Sequence, residues 1–409
     1  MPSLPAAVTI QRPERFTAPA TELVARSPGA LAEISSSAWD ELLGPGNTPL
    51  RHGLLRAWEQ AELRGLQSHP LTVRDQRSGE LLGACPGYFY DLDLLTIRWP
   101  RTAGVMRTLR RGWPGLLYTR AYELGTAVPL SNPFLVSGDA DRKDAIAALL
   151  RGGVDQARAG DAAFLLVQNF TSCEGLIAQQ LRNQNMAPVP IPPTAVIDIV
   201  HESFEDYLNA MRAPYRRRAR LTFARTEHLV IEHHTEFSML AEELARLWRA
   251  IYDRATEIRR EVLTAQFFRW ASAVDESSVL LARRPDDSIA SFALLFDDGP
   301  TLSFVQCGFE ERAGREEGAY FRLLYEIVRL GIERGHRLVD LGVTTLPPKL
   351  DVGAIPVPLF AWVRHRNAAV QWAIVQLARG PLQRVDVLTP RRVFKKPTRT
   401  AGELVRELG

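Results

Sequence analysis

The sequence is short of cysteine and of lysine, and each shortage narrows the reading. Three cysteines, Cys85, Cys173 and Cys307, stand far apart with no CxxC pair. That argues against a disulfide scaffold or a structural zinc site and fits a reducing compartment. Lysine occurs only at 143, 349, 395 and 396, so nearly all the positive charge is arginine. No stretch reaches the roughly 18–20 unbroken apolar residues of a membrane span, and the first residues lack the charged-then-apolar order of a signal peptide. Excess charge of one sign is also lacking. Fifty Lys+Arg against 47 Asp+Glu leave a formal +3, too little to commit the protein to a polyanion. A cytoplasmic protein without a membrane span is expected.

The hard catalytic signatures are absent as well. There is no GxxxxGK[ST], no HExxH, no GxSxG, and no GxGxxG opening a helix after a strand. The only His pair, His233-His234, would diverge on a strand and reads as an exposed strand edge. Metal and covalent catalysis therefore have no candidate constellation, and neither a metal nor a bound cofactor is expected.

What is present is globular. With 409 residues, 46% hydrophobic and 24% charged, the chain can form two or three domains. Residues 1–30 are Pro- and Ala-rich and read as a leader. Helices are expected near 37–43 and 50–64, and a strand-turn-strand over 71–90. A helix over about 142–159 then feeds a buried strand at 163–168. The second half repeats the order: helices at 203–212, 237–251 and 264–273, strands at 279–283, 289–296 and 302–307, a helix at 317–334, and a strand at 338–342. The segments 71–90 and 279–296 echo each other, as do 142–168 and 317–342. The spacing predicts a duplicated α+β unit. One unit would span 31–190 and the other 191–380, with a boundary in the proline-crowded stretch 186–193 and a basic tail over 381–409.

Three places carry chemical content. Asp340 and Gly342 end a predicted buried strand, and Lys349 and Gly353 follow on a Pro-bracketed loop where glycine would allow tight turning. The strand ending at Gln306 and Cys307 leads through Arg315 and Gly318 into a helix whose N-terminus would present free N–H groups to an anion. Tyr215 to Arg220 sets four arginines in five positions, able to clamp a phosphate or carboxylate or simply to form a solvated helix face.

Taken together, Trp39-Asp-Glu-Leu, Pro49 to Glu59, Leu82 to Tyr88, Arg216 to Arg220, Leu247 to Arg254, and Asp340-x-Gly342…Lys349-x-x-x-Gly353-x-x-Pro356 resemble the FemAB-like acyltransferases. These belong to the wider GNAT fold, with two units in tandem. The resemblance covers about 36–370 and implies two tandem α+β domains, each a mixed, mostly antiparallel sheet flanked by helices. It implies an N-acyltransferase that forms an amide bond between an activated acyl group and an amine. The donor would be an acyl thioester such as acyl-CoA, or an aminoacyl-tRNA. The acceptor would be a small-molecule, cell-wall, polysaccharide or natural-product precursor. Such chemistry needs an amine positioned, a proton removed and an oxyanion stabilised.

On this resemblance Lys349 faces the donor, and Tyr320, Tyr325 and Asp340 are candidate proton acceptors. Tyr215, Arg216, Arg220, Tyr252, Arg254 and Gln306 are candidates for a substrate-binding wall at a cleft between two facing sheets. Arg315, Gly318, Gly342 and Gly353 would line the donor. Two other readings stand beside it: a non-catalytic GNAT-fold ligand-binding protein, and an RNA-binding protein.

Overall fold

The computed structural model describes residues 23–408 apart from 45–46, 95–107, 109–111, 114, 127–131, 255–260, 311, 313, 315–316, 379–389 and 397–398. In chain order the strands are β1 (Ala25–Arg26), β2 (Gln67–Ser68), β3 (Leu71–Arg74), β4 (Leu81–Cys85), β5 (Gly87–Asp93), β6 (Tyr118–Leu124), β7 (Leu135–Val136) and β8 (Phe164–Phe170). They continue as β9 (Ala187–Asp198), β10 (Val230–His234), β11 (Ser277–Arg283), β12 (Ile289–Asp297), β13 (Thr301–Phe309), β14 (Leu338–Asp340) and β15 (Ile355–His365).

Two sheets form. The smaller has the order β1-β3-β4-β7, and the larger runs β10-β11-β12-β13-β14-β9-β15-β8-β6-β5-β2 through both halves. The two facing sheets expected from the sequence are thus one continuous sheet. Its middle reads alike from either end. β9 and β15 are antiparallel partners, β14 and β8 flank them, and beyond these lie β13 and β6, each parallel to its inner neighbour. A parallel pair needs a long crossover, supplied by helix Ala319–Glu333 in one half and helix Arg142–Ala159 in the other. The echoing segments of the sequence are these crossovers and the hairpins before them. Each half also lends its last strand to the other: β9 pairs with β14, and β15 pairs with β8.

The stretch expected as a linker, 186–193, is instead the first half of β9. Pro188 and Pro190 fall two residues apart, so their missing N–H groups both face the side away from β15. The intervening residues keep the ladder. Proline also divides the expected strand 81–90. Pro86 ends β4 in the small sheet, and Gly87 starts β5 in the large one.

Helix Arg142–Ala159 begins at Asp141, whose side chain accepts from Asp144 N. It buries Ile146, Leu149 and Leu150 in a core shared with strands of both sheets. In the second half, helices Phe204–Ala210, Ala213–Arg225 and Ala319–Glu333 share one core. Helices Ala241–Arg254 and Ala265–Ser272 share a second core with Phe292 and Phe296, joined from the first half by helix His52–Trp58. Burying each of these aromatic side chains is worth about 1.5–3 kcal/mol. Trp58 packs 4.9 Å from Phe267, centroid to centroid, so the halves are bonded through packing as well as strands.

The basic tail is docked where it is described. Val393 and Phe394 are buried, Lys395 donates to Asn209 O, Arg391 pairs with Asp351, and Arg399 lies 3.3 Å from the Asp198 carboxylate. No helix among the described residues is long and apolar enough to cross a membrane.

Candidate functional site

The parallel strands β13 and β14 pair only from Thr301↔Leu338 to Ser303↔Asp340. There β14 stops, and the chain swings onto β9, with Leu341 N donating to Ala195 O and Ala195 N to Gly342 O. β13 continues alone on that side to Phe309. It also carries a bulge: Leu294 pairs with Gln306 and Leu295 with Phe304, which leaves Val305 as the extra residue. The result is a wedge between two parting strands, with unpaired β13 backbone along one wall.

The apex of the wedge is tightly built. Asp340, buried, accepts from Thr194 Oγ1 and, at 2.9 Å, from Gly342 N. Burial pushes its carboxyl above the usual range, against the lowering effect of those hydrogen bonds and of Lys349. Gly342 has φ +78°, and a Cβ there would lie 3.2 Å from Phe304 O. Lys349, on helix Leu346–Asp351, is only 2% exposed. Its Nζ donates to Gly342 O at 3.0 Å and lies 5.7 Å from the centroid of the Phe304 ring. The expectation that this ammonium faces an open donor site is therefore corrected: it is held inside, against backbone and an aromatic face. Gly353, at φ +97°, packs against the Phe394 ring and serves the fold.

Along the wedge, Cys307 feels the Lys349 charge, and Tyr320 couples to Cys307. Burial holds the Cys307 thiol up at about 11 and the Tyr320 phenol well above its ordinary value. Both stay protonated at neutral pH, which suits proton donors and not acceptors. Tyr325 is also pushed up, to about 12, and its buried Oη has no hydrogen-bond partner. It packs 5.8 Å from Phe223, inside the core. Gly318, at φ +86°, starts helix Ala319–Glu333. The first helical N–H bond is Arg322 N to Gly318 O, so the preceding N–H groups point out of the helix end. Arg315 lies outside the described residues.

The expected substrate wall is split between the two faces of the sheet. Tyr252 stacks on Trp248, Trp248 Nε1 donates to Gln306 Oε1 at 3.0 Å, and Arg254 reaches Phe309 O, so these three expected residues do meet along β13. Tyr215, Arg216 and Arg220 are on the opposite face, in helix Ala213–Arg225. Arg216 donates to Asn209 O and Met211 O at the end of the preceding helix, and Arg218 pairs with Asp351 at 2.6 Å. The arginine run is therefore no single clamp, although Arg217 and Arg220 remain exposed. Sequence reasoning missed Thr194, Phe304 and Cys307. The run Thr194-Ala-Val-Ile after the prolines was the available strand signal for the first.

The matching place in the first half is closed. β6 and β8 stay paired to Leu124↔Val167, Asn169 Nδ2 donates to Thr126 O, and Glu123 accepts from Tyr88 Oη and Gln168 Nε2. Two cavities lie elsewhere. One, of about 350 Å³, is lined by Arg51, Glu276 and Asp298, and an apolar one of about 70 Å³ is lined by Leu55, Trp58 and Tyr88.

Residues 209–349 match the family described as an acetyltransferase (GNAT) domain. The fold of the chain is similar to that of two solved structures. FemX aligns over 84% of this chain and 99% of its own, with TM-score 0.52 and 13% identity. The C-terminal domain of a lysylphosphatidylglycerol synthetase (a provisional name) from Agrobacterium fabrum aligns over 89% of this chain and 100% of its own, with TM-score 0.50 and 14% identity. In sequence, a Mycobacterium tuberculosis protein provisionally named 8-amino-7-oxononanoate synthase 2 is 25% identical over 80% of this chain. The chain spans 43% of the length of that relative.

Proposed function

We propose that the protein joins an acyl or aminoacyl group to an amine at the β13–β14 wedge. The donor is an acyl thioester or an aminoacyl-tRNA, and the acceptor is the amine of a small-molecule, cell-wall, polysaccharide or natural-product precursor. The observation that carries the proposal is the parting of β13 from β14 after Ser303↔Asp340, within the half that matches the acetyltransferase family. Unpaired β13 backbone can bind an amide-bearing donor arm as an added strand, and its N–H groups can face a developing oxyanion. The N–H groups at Ala319 and Tyr320 suit a donor phosphate.

Within this reading the residues divide by what they touch. Tyr320, in the first turn of the helix that Gly318 starts and with its ring 5.6 Å from that of Phe309 on β13, acts as proton donor to the leaving group. Lys349 and Asp340 are positioning residues that fix the Gly342 turn. Gln306, Tyr252 and Arg254 border the acceptor. The two units of the tandem, expected over 31–190 and 191–380, meet instead after β9 ends at Asp198 and are interlocked by their last strands, and the second unit holds the reacting groups.

The test is to incubate the purified chain with acyl-CoA, or with charged tRNA, and a panel of amines. Amine-dependent loss of the thioester or aminoacyl ester is the expected result. Consumption of neither donor with any amine would overturn the proposal.

A further inference from the structure

The bulge in β13 turns one side chain around. Leu302 and Phe304 point into the core shared with helix Ala319–Glu333. Without the extra residue at Val305, Gln306 would follow them, since alternate side chains of a strand share a face. Instead Gln306 pairs with Leu294, whose side chain belongs to the core of helix Ala241–Arg254, and Cys307 takes the first face. Gly308 then falls on the same side as Gln306. A Cβ there would lie 2.6 Å from Trp248 N and 2.7 Å from Leu247 C, so the bare glycine lets the helix backbone rest on the strand. That close seat brings Trp248 to Gln306.

The indole fixes which way the amide points. Trp248 is buried, its ring stacks on Tyr252 with centroids 5.1 Å apart, and its N–H can only donate. It meets Gln306 Oε1 at 3.0 Å. The Nε2 of the same amide is thereby sent the other way, with two N–H groups and no partner among the described residues. Gln306 is half-buried and lies beyond Ser303, where β13 has lost β14. An oriented, unused donor at the parting of the strands suits an oxygen of a bound molecule.

We infer that Gln306 selects the acceptor: its Nε2 donates to an oxygen carried near the reacting amine, as in an amino acid or an amino alcohol. Trp248 is the positioning residue that holds the amide in that sense. The inference rests on the proposed transfer at the wedge. The molecule that meets Gln306 is the acceptor and not the donor, because the helix end suited to a donor phosphate, Gly318 to Tyr320, belongs to the opposite face with Cys307. A site that hydrogen-bonds a substrate oxygen discriminates against the analogue lacking it, so plain alkylamines are the poorer acceptors.

Kinetics with glycine, ethanolamine and propylamine, on whichever donor the native chain consumes, test this. Gln306→Glu keeps an oxygen for the Trp248 N–H and removes the two N–H groups. Its kcat/KM should fall about tenfold for glycine and ethanolamine, through the acceptor KM, and hold level for propylamine, with the donor KM unchanged. A fall for glycine alone would identify the oxygen as a carboxylate. Trp248→Phe keeps an aromatic ring and frees the amide to turn, and should give the same pattern in weaker form. Equal falls for all three amines with Gln306→Glu, or no fall, would overturn the inference and leave the transfer reaction standing. No turnover of any amine by the native chain would instead overturn the reaction, and the inference with it.

Discussion

Lys349 Nζ donates to the carbonyl oxygen of Gly342 across 3.0 Å, which ties helix Leu346–Asp351 to the apex of the wedge. Lys349→Met keeps most of the volume and removes the charged one of that carbonyl's two donors, leaving Ala195 N. A cost of about 1–3 kcal/mol is expected, with a parallel fall in turnover as the turn relaxes. Urea unfolding beside a donor-consumption assay checks both. Unchanged stability would remove the positioning role.

Asp340 supplies a pH dependence. Burial raises its folded-state pKa above the unfolded value. At low pH both states are protonated. As pH climbs past the ordinary carboxylate value the unfolded state loses its proton first, so stability falls until the raised folded value is passed. Asp340→Asn keeps an acceptor for Thr194 and Gly342 and should flatten this slope in melting curves taken from acid to neutral pH.

Two left-handed glycines should respond unequally. At Gly318 the nearest atom to an added Cβ is Thr226 Cγ2 at 4.0 Å, so alanine pays backbone strain alone, about 1 kcal/mol. At Gly342 the same methyl meets Phe304 O at 3.2 Å, a backbone atom that cannot step aside. Gly342→Ala should melt well below Gly318→Ala. Equal melting temperatures would contradict the crowding.

Tyr320 and Tyr325 share a helix and part in function. Tyr325→Phe removes a buried hydroxyl that has no partner and should leave stability equal or higher and turnover intact. Tyr320→Phe should lower kcat about 100-fold with little change in KM, as expected for loss of a proton donor. If both variants keep full kcat, another group supplies the proton.

Phe394 tests how far the C-terminal segment belongs to the core. Its ring lies 5.6 Å from those of Tyr207 and His201 and against Gly353. Phe394→Ala should cost about 3–5 kcal/mol in chemical denaturation, a loss that a merely solvated tail would not show.

Much of the fold was legible because local signals agreed with it. Helix Arg142–Ala159 has an aspartate cap and a clear apolar stripe, and the hairpins at 71–93 and 277–297 have turn residues where the chain reverses. β9 was hidden because four prolines argue for a linker. The one-sided ladder along β15 makes Pro188 and Pro190 tolerable, and the register shift between Val357 and Leu359 takes up Pro192 and Pro193. The arginine run takes the helix-face reading and not the clamp: it lies in helix Ala213–Arg225, with Pro214 in the first turn. Of the residues expected at the site, Asp340, Gly342 and Lys349 are joined by hydrogen bonds at the apex of the wedge. Their surroundings were not legible, since the Thr194–Asp340 bond joins residues 146 apart, and burial, which encloses the Lys349 ammonium, leaves no local mark.

The exchange of β9 and β15 makes this protein indivisible. A fragment ending after Asp198 would keep β9 but leave β8 without its outer neighbour, and the complementary fragment would strand β14 the same way. Each piece would expose a raw edge shaped to accept the strand held by the other. Co-expressed fragments should therefore find one another, and either one alone should aggregate. Once two such units had traded their final strands, neither could be lost without disarming its twin.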